Sequence, residues 1–354
     1  MQSATVQPSR ITLSICIGTF NRAGFIGETI ESIIAQAPSD CEIVVSDNAS
    51  TDGTEELVLK YARSCDRLRY VKQETNVGLD RNFDRAVELA RGEYCWLLSD
   101  DDLLKPGAIA AVLEVLRQDY VLVLINGDHW DLGLSKVLAP NFFGIDSDRV
   151  YGAGELDRLF EDIGKCSICI SCYVIKRAVW IAREKKKYYG SMFIHVAVAF
   201  QERLPGRALT MAHPMIKFRW GNENEWGDSR AAEIFYFMWP TLVWSLALSD
   251  STKRRHCSKE PWRRLKYLLP SRALGWYTLD TYRSTFRPYL CSLREKAIPI
   301  VILLVPCWLA RGFYIIVTLV TGTLNSSEEA LRRTSMLPES LDSLIWPNLP
   351  KRLR

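Results

Sequence analysis

Apolar and polar positions alternate in blocks along the first third of the chain. Residues 11–17, Ile-Thr-Leu-Ser-Ile-Cys-Ile, form a short run rich in β-branched side chains, and Gly18-Thr19-Phe20-Asn21-Arg22 closes it. That pattern predicts a buried strand entering a loop. Ile26, Ile30, Ile33 and Ile34 follow at helical spacing, and Pro38 ends the stripe. Residues 42–46 predict a second strand. It breaks into Asp47-Asn48-Ala49-Ser50-Thr51-Asp52-Gly53, a polar turn suited to cap a helix over 54–62. A third strand is expected at 68–71. A helix follows from about 80 to 90, with Phe83, Ala86, Val87 and Ala90 on one stripe and Gly92 after it. A fourth strand, 94–98, runs straight into Ser99-Asp100-Asp101-Asp102, and Pro106 opens a helix to Leu116. A fifth strand is expected at 121–125. Strands alternating with short helices predict an α/β fold with a mostly parallel sheet. Ligands in such sheets bind at the carboxyl ends of the strands, which is where each of these polar clusters falls.

Beyond residue 125 the pattern loosens. Residues 126–165 read as loops with short elements, 168–174 as a strand, 191–200 as a helix, 215–220 as a strand and 231–248 as an aromatic-rich helix. Residues 297–320 are the most apolar stretch. As one helix they would measure about 36 Å, enough to cross a bilayer, but Pro306, Arg311 and Gly312 interrupt the middle, and a central arginine is costly there. A kinked or hairpin element lying in a membrane interface is the expectation.

Composition and charge refine this picture. With 354 residues, 48 % apolar and 24 % charged, the chain is ordinary globular protein, long enough for about two units. The net charge of +4 is too small to argue for nucleic acid. Its distribution says more: residues 251–296 hold twelve Lys and Arg against three acids. That local excess is larger than the charge of the whole chain, so a basic block sits on an acidic body, just before the apolar stretch. Anionic lipids attract such blocks. The polar first ten residues lack the apolar core of a secretory signal, so a cytoplasmic location is expected, peripheral on the inner face of the membrane. The ten cysteines are scattered and read as buried free thiols. Cys166, Cys169 and Cys172 have the spacing of a ligand set. On the expected strand, however, Cys169 would face away from the other two.

Asp100, Asp101 and Asp102 are the chemical focus. Three adjacent carboxylates at a strand end repel one another, and a divalent cation is their natural partner. Mg²⁺ and Mn²⁺ take oxygen ligands, often one or two carboxylates plus phosphate oxygens. The segments at 15–22, 46–52, Asn76-Val77-Gly78 with Asn82, Gly92-Glu93-Tyr94 and Leu98-Ser99-Asp100-Asp101-Asp102 come in order at fitting distances. This set resembles the family 2 glycosyltransferases, and its Leu-Ser-Asp-Asp-Asp form is most similar to the abequosyltransferase-like, polysaccharide-synthesising branch. The resemblance covers about residues 11–125.

The resemblance implies a GT-A (Rossmann-like) domain: a nucleotide-sugar half over 1–125, an acceptor half over 126–228, and a C-terminal helical, membrane-associating region over 229–354. It implies sugar transfer from a nucleotide-diphosphate donor to a saccharide or lipid-linked saccharide, metal-assisted and inverting, with no nucleic-acid partner. By the same match Thr19, Asn21, Arg22, Asp47, Asn76, Gly78, Arg81, Asn82, Asp100 and Asp101 are donor-binding candidates. Asp101 and Asp102 are metal candidates for Mg²⁺ or Mn²⁺. Arg219 and Trp220 stand in Ile216-Lys217-Phe218-Arg219-Trp220, similar to a Gln-x-x-Arg-Trp motif but with Ile216 in place of Gln. The family's general base, a carboxylate after a glycine at a helix start, has no counterpart in Gly190-Ser191-Met192. His195, a helical step further on, is the candidate base, with Asp128 and Glu202 behind it. Gly18 stands where the family has proline. The rival reading is a non-catalytic scaffold or sugar-nucleotide binder. A nucleotidyltransferase would need a Gly-x-Gly-Thr-Arg loop that is absent here.

Overall fold

The computed structural model describes residues 11–221, 227–273 and 275–321. The chain divides into two compact units, Met1–Arg219 with Met238–Lys259, and Trp220–Phe237 with Glu260–Arg354. The expected halves 1–125 and 126–228 therefore share one unit nearly to their end, and 238–259 returns to it.

In the first unit the expected strands and helices form β1 (Leu13–Thr19), α1 (Ile26–Ile34), β2 (Cys41–Asp47), α2 (Thr54–Ser64), β3 (Leu68–Lys72), α3 (Leu79–Leu89) and β4 (Tyr94–Ser99). After them come β5 (Leu103–Leu104), α4 (Ala108–Leu116), β6 (Leu122–Trp130), β7 (Val137–Ala139), β8 (Arg149–Tyr151), α5 (Leu156–Ile163), β9 (Tyr173–Lys176), α6 (Arg177–Ala182), α7 (Ile194–Phe200) and β10 (Ala208–Arg219). They build one sheet in the order β3-β2-β1-β4-β9-β6-β10-β5. The first four strands are parallel, β9 runs antiparallel to both its neighbours, and β6 and β10 are parallel. Ile15, Ile17, Val44, Val45, Leu97 and Leu98 are fully buried, each worth roughly 1.5–3 kcal/mol of burial. Helices cover the sheet: Ile26, Ile30 and Ile33 bury the expected stripe of α1.

Register places the chemistry. Thr19 pairs with Asp47 across β1 and β2, and Gly18 pairs with Ser99 across β1 and β4. The polar loops after these three strands therefore leave one edge of the sheet together. Gly18 lies under α3, where an added Cβ would stand 3.1 Å from Asn82 Nδ2 and from the Phe83 ring. Proline, the family's residue, would crowd that contact.

Three expectations are corrected. Residues 168–174 do not make one strand: 3-10 turns at Gly164–Ile168 and Ile170–Cys172 precede the short β9. This turns Ser171 inward, where its hydroxyl meets β4. The strand-based facing of Cys166, Cys169 and Cys172 falls with it. Among the described residues none of the three forms a disulfide, and no group of three or more His, Cys, Asp or Glu is arranged to hold a metal. The helix expected over 231–248 is broken into Gly227–Glu233, a π turn at Ile234–Met238 and Trp239–Ser245. Pro240 lacks the N–H that a regular helix would use there. The apolar C-terminal stretch, by contrast, is kinked as expected, into two helices, Leu293–Leu304 and Cys307–Thr321. Among the described residues no single helix is long and apolar enough to cross a membrane.

A buried carboxylate ties the sheet together at the opposite end from the polar loops. Glu42, fully buried on β2, accepts from the Ser14 hydroxyl on β1 (2.6 Å), the Arg91 N–H (2.6 Å) and Arg91 Nε (2.8 Å). The Ser14 hydroxyl in turn accepts from the Gly92 N–H at 2.8 Å, where any Cβ on Gly92 would stand 2.7 Å from the Ser14 nitrogen. Burial opposes ionisation, but the Ser14 and Arg91 hydrogen bonds win and lower the carboxyl below its ordinary value. A lowered folded value gives stability that is present above the unfolded value and lost as pH falls through the folded one. Glu42→Gln is expected to cost about 1–3 kcal/mol in urea unfolding at neutral pH. The difference from the parent should shrink in acid below about pH 4.

Candidate functional site

The loops after β1 and β2 hold each other. The Asn21 N–H donates to Ser50 Oγ (2.8 Å), and Asn21 Oδ1 accepts from the Thr51 N–H (2.8 Å). The Arg22 N–H donates to Thr54 Oγ1 (2.8 Å). Asp52 accepts from the N–H groups of Thr54 (2.9 Å) and Ala23 (3.1 Å), so from just ahead of the Gly53 N-cap it staples the two loops at the start of α2. Asn21 and Ala49 adopt left-handed φ values of 54° and 67°. For alanine that strain costs roughly 1 kcal/mol and persists because these hydrogen bonds over-determine the loops.

Behind them lie the asparagine candidates. Asn48 Nδ2 donates to Asn76 Oδ1 (2.8 Å), and Asn48 Oδ1 accepts from the Val77 N–H (2.8 Å). Gly78, at φ 88°, turns the chain into α3. Asn82 is buried; its Oδ1 accepts from the Ser46 hydroxyl (2.8 Å) and Gln73 Nε2 (2.7 Å), and its Nδ2 donates to the Thr19 carbonyl (3.3 Å). Asp47 is fully buried and accepts from the Ser50 N–H (2.8 Å) and the Tyr70 hydroxyl (2.6 Å). The structure thus brings Thr19, Asn21, Arg22, Asp47, Asn76, Gly78 and Asn82 to one edge. Asn82 and Asp47 spend their side chains on bracing it.

The acidic cluster continues from β4 on the same edge. Asp100 and Asp102 are 6 % and 5 % exposed. Arg22 Nε stands 3.5 Å from Asp100 Oδ1, and Thr29 Oγ1 donates to the Asp100 carbonyl at 3.0 Å. The two oxygens of Asp102 accept from the Ser171 hydroxyl and, at 3.0 Å, from the Arg219 N–H. Ser171 Oγ also accepts from the Ser99 N–H at 2.9 Å, so one serine fixes both ends of the cluster. Ser99 donates to Asp101. Burial, and then the charge of Asp101, push the Asp100 carboxyl up to about 7 despite Arg22. Asp102 is raised well above the carboxylate range by burial and Asp101. Burial and close spacing thus disfavour the charged form of both carboxyls as the turn stands.

That observation tests the metal expectation. A closed cage is absent among the described residues. Each Asp102 oxygen accepts one hydrogen bond and keeps a second lone pair. An open site of one or two carboxylates completed by phosphate oxygens is the arrangement Mg²⁺ and Mn²⁺ favour. The residues present fit that group.

Other candidates are placed differently. Arg219 ends β10 with its guanidinium engaged: Nε donates to the Asp101 carbonyl (3.0 Å), Nη1 to the Leu132 carbonyl (2.6 Å), and Nη2 pairs with Glu28. It also lies over the Phe25 ring at 5.2 Å. It thereby clamps β10 and α1 onto the acidic turn. Arg81 lies over Tyr189 at 4.9 Å and lines a shallow cleft with Gln73, Val77 and Lys186. Trp220 begins the second unit.

The general-base expectation for His195 is overturned. Its ring is 2 % exposed, packed against Tyr173 and Phe193, with Nε2 3.1 Å from the Ile168 carbonyl. Burial lowers its pKa to about 3. A neutral ring enclosed in this way has neither the basicity nor the access to deprotonate an acceptor. The carboxylate that does reach the 190–194 segment is Asp80 of α3, buried and accepting from the N–H groups of Met192 (3.0 Å) and Ile194 (3.0 Å). Asp128 is paired with Lys105, and Glu202 pairs with Arg183 at the surface. Sequence reasoning missed Ser171, Glu28, Tyr70 and Asp80. Each acts from 20 or more residues away from its partner, and none belongs to a local motif.

With this geometry in hand, residues 14–136 match the model of glycosyl transferase family 2. Residues 14–136 form a family 2 glycosyltransferase domain. Abequosyltransferase RfbV of Salmonella typhimurium is 29 % identical over 235 residues, 63 % of this chain and 71 % of that protein. A GalNAc(5)-diNAcBac-PP-undecaprenol β-1,3-glucosyltransferase of Campylobacter jejuni is 34 % identical over 115 residues, 32 % of this chain and 37 % of that protein. The crystal structure of Staphylococcus aureus TarS 1–349 in complex with UDP superposes with a TM-score of 0.55 at 14 % identity, covering 82 % of this chain and 89 % of that one. The family model and the superposition establish the GT-A fold, with helices flanking a largely parallel sheet.

Two outcomes follow for this domain. A carboxyl raised in the folded state stabilises below its unfolded value and loses that contribution as pH rises through the folded one. In chelator, the melting temperature should therefore fall as pH rises from about 4 to about 7, and Asp100→Asn should flatten the slope. His195→Gln should lower the melting temperature while leaving the pH profile of donor turnover unchanged; a displaced profile would restore His195 as base.

Proposed function

We propose that the chain transfers a sugar from a nucleotide-diphosphate donor to a hydroxyl of a saccharide or lipid-linked saccharide, in cell-surface polysaccharide synthesis. The observation carrying this reading is the buried acidic turn at the end of β4, beside the loops of β1 and β2. The relatives are named for sugar transfer, and the TarS structure holds UDP; both support the reading.

In this mechanism the donor diphosphate lies across the loops that follow β1, β2 and β4. Asp101 and Asp102 would hold Mg²⁺ or Mn²⁺. Bound there, the cation supplies Lewis acidity that offsets charge on the departing diphosphate. Ser171 and the Arg219 N–H keep the Asp102 carboxylate aimed. Arg22, already beside Asp100, offers positive charge to the phosphates. Thr19, Asn21, Asn76 and Gly78 shape the nucleotide side. The acceptor oxygen attacks the anomeric carbon from the face opposite the diphosphate. The bond to the diphosphate oxygen breaks, the acceptor hydroxyl releases its proton to water, and the configuration inverts.

The test is release of nucleoside diphosphate from UDP-, GDP-, CDP- and dTDP-sugars by the purified chain, with Mn²⁺ and with chelator. Turnover of one donor class in Mn²⁺ only, reduced about 100-fold or more by Asp102→Ala, is expected. Ser171→Ala should fall less, and higher Mn²⁺ should partly restore it. Turnover that survives chelation would overturn the metal role. No turnover from folded protein would favour a non-catalytic scaffold.

A further inference from the structure

The second unit has a packed side and an uncovered one. Phe237, Leu268, Tyr277, Phe286, Leu290 and Ile302 form its core, with Ile298 against it. The helix Leu293–Leu304 is apolar on both sides, so packing Ile298, Pro299 and Ile302 leaves the other face outside. Leu293, Val301 and Leu304 on that face are 86 %, 60 % and 76 % exposed. Beyond the break, Trp308, Leu309 and Phe313 are 72 %, 50 % and 54 % exposed. Among the described residues, eleven of the seventeen exposed large apolar side chains belong to the smaller second unit. Isolated exposed leucines need no explanation, but so many exposed apolar side chains on two successive helices mark a docking surface.

The bend is built in. The two helices meet at 92°. Pro306 removes an N–H at the break. Arg272 Nε donates to the Val305 carbonyl at 2.9 Å and Nη1 to the Tyr277 carbonyl at 3.0 Å. Arg311, the residue that makes a spanning helix costly, donates from Nε to the Ala273 carbonyl at 2.8 Å. Two arginines thus hold both sides of the bend onto the helix Leu265–Ala273. A straight span would have to break these contacts.

The geometry points to a bilayer surface bearing anionic headgroups as the occupant of this strip, with the bent pair lying in the interface as a wedge. Charge selects lipid over a second copy: residues 260–314 hold nine Lys and Arg against three acids. Arg294 is exposed within two residues of Leu293, and Arg264 and Lys266 are exposed beside Leu265, itself 55 % exposed. Self-association would bring like charges together around the strip. An apolar face with a basic margin is the chemistry of interfacial binding, where two signals combine. The inference rests on the second unit alone and does not depend on the donor reading.

The test uses the full chain with vesicles of phosphatidylcholine, alone or mixed with phosphatidylglycerol. Co-sedimentation with the mixed vesicles and much weaker binding to the neutral ones are expected. Leu304→Glu with Trp308→Glu should cut binding at least about tenfold. Arg294→Ala with Lys296→Ala should cut it about fivefold per charge on the mixed vesicles only. Leu138→Glu, an exposed position in the first unit, should change nothing. Apart from the partly buried Lys296 these side chains are exposed, so melting temperatures should hold, and donor turnover measured without lipid should be unaffected. Binding unchanged by the apolar and basic variants, or no binding at all, overturns the proposal. A lipid-free dimer that Trp308→Glu dissociates, with no vesicle binding, overturns it in favour of self-association.

Discussion

The structure depends on the buried carboxyls at the end of β4. Two of three consecutive aspartates lie below the surface at the one edge where a parallel sheet presents its loops. Isolated buried carboxylates are expensive, and burial raises Asp100 and Asp102 accordingly. Neighbouring elements hold them there regardless. The 3-10 turn before β9 delivers Ser171, the end of β10 delivers the Arg219 N–H, and α1 delivers Thr29 and the Glu28 partner of Arg219. Elements far apart in the chain converge to keep an unfavourable charge in place. Fixing ligands by such outer contacts is how metal-assisted sites are tuned.

The rest of this edge is braced by hydrogen bonds. Asp47, Asn48, Asn76 and Asn82 are hydrogen-bonded mainly to one another's loops. Their contribution is to hold backbone in place, including two residues in left-handed conformation. Under the proposed function, a site braced in this way would receive a diphosphate without rearranging.

The repeating half of the fold was legible in the sequence. Strand and helix periods through residue 116 match the structure to within about two residues, because each element there buries one continuous apolar stripe. The carboxyl-end placement of Thr19, Asp47 and the aspartates followed from that alternation. What failed was non-local or irregular. The apolar spacing of 168–174 looks like a strand, but the turns that aim Ser171 break it. His195 looked catalytic by type and spacing, yet only the tertiary packing shows that Tyr173 and Phe193 enclose it. Asp80 reads as an ordinary first-turn acid, and its partners lie more than a hundred residues away. In the C-terminal stretch Pro306 announced the break, whereas the arginine contacts that set the bend could not be read from position alone.

The most direct measurement of the central claim is thermal denaturation of the whole chain with Mn²⁺ alone, nucleoside diphosphate alone, and both together. If the acidic turn and the diphosphate share one cation, each ligand completes the other's site. The joint shift should then exceed the sum of the separate ones by mass action, and Asp102→Ala should abolish the excess. Equal stabilisation by nucleotide in Mn²⁺ and in chelator would contradict the account, and the buried charge at β4 would then have no cation to answer it.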